Sequence, residues 1–245
     1  LRLRPKLDGT LPKTAMVLAA GLGTRMAPLT ADRPKAMVEL GGRSLIDHAL
    51  DRLEDAGVAR VVVNLHAHAD RLEAHLAARG GKLEILFSDE RETLLDTGGA
   101  IKKARPLLGE EPVLVVNGDA FWRDGLVNTL SLLAHRWAAA EMDALLLIVQ
   151  SYAALGYTGR GDFHMDGSGR LRPRPERVIT SYVYGGLQIL KPDLVDDIEE
   201  DVFSLRRIWF DLAEKERLFG VVHEGLWAHV GTPEARSLVE RRLLE

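Results

Sequence analysis

Arg25 and Lys35 belong to the loop AGLGTRMAPLTADRPK, residues 20–35, which follows directly on the apolar run AMVLAA (15–20). Glycines at 21 and 23 let backbone N–H groups approach a ligand closely. Thr24 adds a hydroxyl, and Asp32 is the one acid in the loop. This set suits an anion, and phosphate best. Two familiar phosphate loops do not fit. The third glycine of G-x-G-x-x-G is Met26 here, and Pro28 and Pro34 block the helix that should follow at once. The string G-x-x-x-x-G-K-[ST] is absent. The pattern describes a long cationic loop and not a tight turn into a helix.

Asp119 ends the string Asn117-Gly118-Asp119 after the run PVLVVN (112–117). Alone, that is a turn string. In an open α/β sheet, however, ligands gather at the carboxyl ends of strands, and both Asp119 and the 20–26 loop fall at such ends. Thr97-Gly98-Gly99 reads as a helix start with Thr97 as N-cap. His66 and His68 have no Cys or Glu pattern around them and read as surface residues. Arg160-Gly161-Asp162 spells an adhesion tripeptide, but nothing else in the chain suggests secretion.

The elements that must position these groups are legible in outline. The chain has 245 residues, 46% hydrophobic and 28% charged, with a net charge of −4 and no cysteine. At that length roughly three quarters of the unfolded surface can be buried in one core. The charge balance argues against a general nucleic-acid binder. The missing cysteines exclude disulfides and zinc–thiolate sites, and they fit the cytoplasm. Apolar runs at 15–20, 60–65, 83–88, 112–117, 144–149 and 181–190 predict buried strands, and none is long enough to span a membrane. Helical patterns lie between them at 44–56 (Ser44 as N-cap), 69–79 (Leu72 and Leu76 on one face), 98–108, 126–139 and 233–242. The alternation predicts an α/β fold with a doubly wound, mostly parallel sheet. Asp166-Gly167-Ser168-Gly169 predicts a hairpin within a Gly-, Pro- and Arg-rich elaboration of the second half. Residues 14–243 read as one domain, and residues 1–13, without an apolar core, as a tail and not a signal peptide.

The full string G-x-G-T-R-M-x-P-L-T-x-x-x-P-K resembles the signature loop of the sugar-1-phosphate nucleotidylyltransferases. The resemblance continues through Leu95-Asp96-Thr97-Gly98-Gly99, Asn117-Gly118-Asp119, Gly159-Arg160-Gly161-Asp162-Phe163 and Trp227-Ala228-His229-Val230-Gly231-Thr232. It implies a Rossmann-like fold and transfer of a nucleotidyl group from a nucleoside triphosphate to a sugar 1-phosphate. By this resemblance Arg25 and Lys35 are catalytic. Ala20, Gly21, Gly23, Thr24, Arg25, Asp96, Thr97, Gly98 and Asn117 hold the nucleotide, and Gly161, Asp162, Glu176 and Gly185 the sugar. Asp119 and His229 hold Mg2+. The TGG and GRGDF segments and the compact length are most similar to the branch that joins UTP to N-acetylmuramate 1-phosphate. That branch implies a cytoplasmic role in peptidoglycan recycling, a monomer or small homo-oligomer, and no nucleic-acid or membrane partner. Alternatives are a mannose- or hexose-1-phosphate guanylyl- or uridylyltransferase and a non-catalytic nucleotide-sugar sensor.

Two positions depart from the family pattern. Asp96 stands where many relatives carry glycine. His229 stands where the pattern has aspartate, and magnesium prefers oxygen ligands. A neutral His229 implies activity lost near pH 6.5, roughly the free imidazole value. A muramyl acceptor also needs a cation for its carboxylate. Arg160 and the cluster Arg170, Arg172, Arg174 and Arg177 are the expected source; otherwise that cluster is a solvated hairpin.

Overall fold

The structure is a computed structural model that describes residues 9–244; the reading of residues 1–8 as part of a tail lies outside them. Its elements, in chain order, begin with β1 (Thr14–Leu18), the short strands β2 (Glu39–Leu40) and β3 (Arg43–Ser44), and α1 (Leu45–Asp55). They continue with β4 (Arg60–Leu65), α2 (Ala69–Ala77), β5 (Glu84–Asp89), α3 (Asp96–Leu108), β6 (Val113–Asn117), β7 (Ala120–Arg123) and α4 (Thr129–Arg136). The second half holds β8 (Ala144–Gln150), β9 (Ala154–Leu155), β10 (Phe163–Met165), β11 (Leu171–Pro173), β12 (Tyr182–Leu190), α5 (Leu205–Glu214), β13 (Leu218–Val222), β14 (Leu226–His229) and α6 (Pro233–Leu244).

The main sheet runs β5-β4-β1-β6-β12-β8-β13, and the hairpin β10–β11 joins β12 beyond β6. β5, β4, β1 and β6 are parallel. β12 is antiparallel to both neighbours, and β13 returns parallel to β8. Strands of the second half thus extend the sheet of the first. The apolar runs bury both faces because side chains alternate along a strand. Ala15 and Val17 pack with Ile46, Leu50 and Leu53 of α1 and Leu72 and Leu76 of α2. Met16 faces the other way, with Ile101 and Ala104 of α3 and Ile208 and Leu212 of α5. This is the doubly wound arrangement that the alternating pattern predicts. A third cluster joins Met26 of the loop to Phe121 of β7 and to Val230 and Val239.

Ser44 caps α1 as expected, its hydroxyl accepting from Asp47 N–H, a bond typically worth about 1 kcal/mol. Thr97 does not cap α3. Asp96, at φ 59°, folds its carboxylate onto the Thr97 N–H at 2.5 Å and does that work instead. The Thr97 hydroxyl is thereby left to accept from Leu205 N–H at 3.0 Å. That bond belongs to a strap, residues 199–204, which crosses the start of α3. The Phe203 carbonyl accepts from Gly98 N–H (2.9 Å) and Gly99 N–H (3.1 Å), while Phe203 N–H donates to the Leu95 carbonyl. A Cβ on Gly99 would stand 2.0 Å from the Asp201 carbonyl oxygen, and one on Gly98 would stand 2.3 Å from the Phe203 ring. The two glycines are there so that another backbone can lie on them.

Gly99→Ala sets two effects against each other. Alanine gains about 1 kcal/mol of helix propensity, whereas forcing a methyl into an occupied position costs about 1–3 kcal/mol or more. The expected net result is destabilisation, by about 1–2 kcal/mol, seen as a lower urea midpoint at unchanged slope. An unchanged or higher midpoint would show that the strap is not held against the helix.

Candidate active site

The loop after β1 is shaped by Gly23, whose φ of 65° is left-handed, a region glycine enters without steric cost. Its carbonyl accepts from Met26 N–H and from the Thr30 hydroxyl at 2.9 Å. Met26 is fully buried and anchors the loop, a contribution of roughly 2 kcal/mol for a large apolar side chain. Pro34 then sets an extended residue before a single turn of 3-10 helix at Lys35–Met37. This geometry carries the Lys35 ammonium to the Asp119 carboxylate, Nζ to Oδ2 2.5 Å. The lysine side chain is 12% exposed and the aspartate 35%.

Asp119 sits in the turn between β6 and β7. β7 pairs antiparallel with β14, with Ala120 opposite His229, so the register brings His229 beside the residue that follows Asp119. The imidazole stacks on Trp227 (28° between planes) and meets the edge of Tyr157. Burial, and then the charge of Lys35, pull its pKa below the ordinary 6.5. The ring is therefore neutral at neutral pH, and its protonation falls below the value expected from a free imidazole.

Two cavities meet at this turn. The first, about 450 Å³, is lined by Ala19, Ala20, Gly21, Lys35, Asn64, Glu90, Asp96, Thr97, Asn117, Asp119 and Val202 among others. The second, about 340 Å³, is lined by Arg25, Tyr157, Asp162, Tyr184, Gly185, Gly186, Arg206, Trp209, Phe210, Trp227 and His229, and it shares Asn117 and Asp119 with the first. Of the residues singled out from sequence, Arg25 therefore faces the second cavity and not the first. Gly23 and Thr24 line neither. Neither does Gly98, which the strap covers. Gly161 donates its N–H to the Tyr157 hydroxyl at 3.0 Å, next to the second cavity but outside its lining. Glu176 is exposed in the loop after β11 and lines neither.

Sequence reasoning missed Asn64 and Glu90. Asn64 accepts from Ala19 N–H at 2.6 Å through Oδ1 and donates to Glu90 Oε1 at 2.8 Å through Nδ2. Glu90 is fully buried, and burial pushes its carboxyl above the ordinary carboxylate value, partly offset by the Asn64 bond. Both lie at the carboxyl ends of strands β4 and β5, the position that singled out Asp119. A polar residue ending an apolar run was the available signal. On the second cavity, Trp209 and Tyr184 meet edge to face, 4.8 Å between centroids, and Trp227 Nε1 donates to the Gly185 carbonyl at 2.8 Å. That carbonyl lies in a bulge of β12, where the register with β8 shifts between Tyr184 and Gln188.

Among the described residues, no group of three or more His, Asp or Glu could hold a metal ion by itself. Asp119 and His229 offer one carboxylate and one imidazole. That donor set fits a divalent ion carried largely by phosphate oxygens and water, which is how magnesium is commonly bound. No helix of the described residues is long and apolar enough to cross a membrane.

The family model for the nucleotidyl transferases matches residues 14–242. The chain is 47% identical over 237 residues to the N-acetylmuramate alpha-1-phosphate uridylyltransferase of Caulobacter vibrioides, covering 96% of this chain and 98% of that one. It is 33% identical to the enzyme of the same name from Neisseria meningitidis, covering 89% and 93%. The UTP-bound UGPase of Acinetobacter baumannii shares the fold at a TM-score of 0.76 and 18% identity, covering 95% of this chain and 93% of that one.

Asn64→Ala leaves the Ala19 N–H without its partner and Glu90 Oε1 without its donor. The expected cost is about 1–3 kcal/mol, read by thermal denaturation. The pH dependence has a definite sign. The folded pKa of Glu90 lies above the ordinary 4.5, so its contribution to stability is full below that value and is lost as pH rises through the folded one. Removing Asn64 takes away a bond that holds the folded value down and enlarges this loss. The gap between variant and wild type should widen as pH rises above the ordinary 4.5; a constant gap would place Glu90 outside the coupling.

Proposed function

This chain belongs to the nucleotidyl transferase family, and we propose that it transfers the uridylyl group of UTP to N-acetylmuramate 1-phosphate and releases pyrophosphate. The observation that carries the reading is the junction of two cavities at Asp119, with the Lys35 ammonium 2.5 Å away. One cavity suits a nucleoside triphosphate and the other a sugar phosphate, and the junction is where the two phosphates would meet. The identity to the Caulobacter enzyme supports the substrate pair.

In this reaction an oxygen of the sugar phosphate attacks the α-phosphorus, a new P–O bond forms, and the bond to the bridging oxygen breaks. The electron pair leaves with pyrophosphate. No proton has to move, because a phosphate monoester with its second pKa at about 6 is already largely ionised. The obstacle is repulsion between two anions, and what lowers the barrier is alignment and fixed positive charge. Lys35 supplies that charge at the junction, and Arg25 supplies it from the side of the acceptor cavity. Asp119, with His229 beside it, would hold a divalent ion, Mg2+ in our reading, that neutralises phosphate charge when bound. The enclosing aromatic rings Tyr184, Trp209 and Trp227 of the second cavity present flat apolar surface to the sugar. A cytoplasmic setting and a part in peptidoglycan recycling follow from the same substrate pair.

A pyrophosphate-release assay over UTP, GTP and CTP with muramyl, glucosaminyl, glucosyl and mannosyl 1-phosphates tests the assignment; faster turnover with GTP and mannose 1-phosphate would replace it. Lys35→Ala should keep the fold and lower turnover by about 10²-fold or more, whereas near-normal turnover would remove Lys35 from the chemistry. His229→Asp should lower the Mg2+ concentration needed for half-maximal activity. Because the lowered pKa keeps His229 neutral, wild-type activity should persist to pH values below 6.5. If both His229→Asp and His229→Ala leave the metal titration unchanged, the position is not part of the metal site.

A further inference from the structure

N-acetylmuramate 1-phosphate has two anionic ends, the phosphate and the lactyl carboxylate, and the second needs a cation. The arginines expected from sequence do not provide it. Arg160 lines neither cavity. Arg170 is turned to the Ser168 hydroxyl (2.9 Å) and lies over the Phe219 ring. The Arg174 guanidinium is held by the carbonyls of Gly161, Pro175 and Val178. Arg172 and Arg177 line neither cavity. The cations that do line the second cavity are Arg25, from the phosphate loop, and Arg206, from α5.

We infer that Arg206 is the residue that reads the acceptor's carboxylate, an inference that rests on the acceptor proposed above. Among the described residues its guanidinium makes no ion pair; it stands over the Phe210 ring, 5.6 Å from the centroid. Phe210 is 42% exposed and lines the second cavity beside it. Its position is accounted for if the ring is a platform that holds the guanidinium flat by a cation–π contact and leaves its forked N–H groups free. A free planar fork is the geometry that binds a carboxylate through two parallel hydrogen bonds.

The acids of the cavity do not compete for it. Asp119 is bonded to Lys35, and Asp162 accepts from Tyr184 N–H at 2.9 Å. The support is rigid. Arg206, Trp209 and Phe210 lie at positions i, i+3 and i+4, hence on one face of α5. Trp209 Nε1 donates to the buried Gln188 Oε1 at 2.9 Å, and Leu205 N–H ties the helix start to Thr97. A cation on such a support selects among acceptors by charge, at a place remote from the phosphate.

The experiment compares wild type, Arg206→Ala and Arg206→Lys with three acceptors: N-acetylmuramate 1-phosphate, its lactyl amide, and N-acetylglucosamine 1-phosphate. Wild type should favour the acid over the amide in kcat/KM. Arg206→Ala should lower kcat/KM for the acid by roughly 10- to 100-fold, the range for a charge-assisted hydrogen bond, and bring the acid-to-amide ratio near one. Arg206→Lys, which keeps the charge and loses the fork, should retain part of the ratio. An acid-to-amide ratio in Arg206→Ala equal to that of wild type, or an equal loss on all three acceptors, overturns the inference, since it means phosphate contact or mere support of the helix. A wild type that rejects the muramyl acceptors while turning over another sugar 1-phosphate overturns the acceptor reading itself.

Discussion

The contact between Lys35 and Asp119 joins two turns 84 residues apart, and the rest of the architecture can be read as what is required to hold it. Neither partner lies in a helix of the core or in a strand. Lys35 depends on Gly23, on the burial of Met26 and on Pro34. Asp119 depends on the parallel strand β6 and on the pairing of β7 with β14. A largely covered ammonium without its partner would carry a desolvation cost that water, reaching mainly the Asp119 side, does not fully relieve. The pair is therefore stable only while both turns hold their places. It also marks the wall between the cavities, so one contact fixes both the loop and the point at which two phosphates would be brought together.

The sheet was legible in the sequence because its strands are short apolar runs covered on both faces, and the helices of the first half because their apolar residues recur at helical spacing. Their ends moved by a residue or a few. Helix 126–139 shortens to Thr129–Arg136, since Asn128 caps it, and helix 98–108 begins at Asp96. α5 carries the same signal, Leu205, Ile208, Trp209 and Leu212 at helical spacing, but its ten residues follow an aperiodic stretch and were passed over; β7 and β14 escaped notice because four residues give no period. Asp119 was legible from its place at a strand end. Asn64 and Glu90 satisfied the same rule and were passed over, because a lone polar residue after a run of valines carries no motif.

What no local pattern reveals is the strap. Gly98 and Gly99 read as the opening of a helix, and the partner that requires them lies about a hundred residues later in a stretch without periodicity. The correction to Thr97 has the same origin: its hydroxyl serves Leu205 and not its own helix. The cation for the acceptor moved from the arginine-rich hairpin to α5 for a related reason. The hairpin's charges are either met by nearby carbonyls and hydroxyls or lie away from the cavities, whereas a helix packed on the sheet delivers a side chain to a cavity formed by distant segments.

The strap changes how this fold must handle phosphate. Many nucleotide sites lay the anion on the positive end of a helix, where free N–H groups and the peptide dipoles attract it. Here the start of α3 adjoins the first cavity, but three of its N–H groups are spoken for: Thr97 by the Asp96 carboxylate, Gly98 and Gly99 by the Phe203 carbonyl. Neutralisation then falls to side chains and ions, and how far each is covered decides how it responds to the medium. At physiological ionic strength the screening length is about 8 Å, comparable with the size of a triphosphate. The exposed Arg25 should therefore lose much of its hold on phosphate as salt is added, while the largely covered Lys35 loses less.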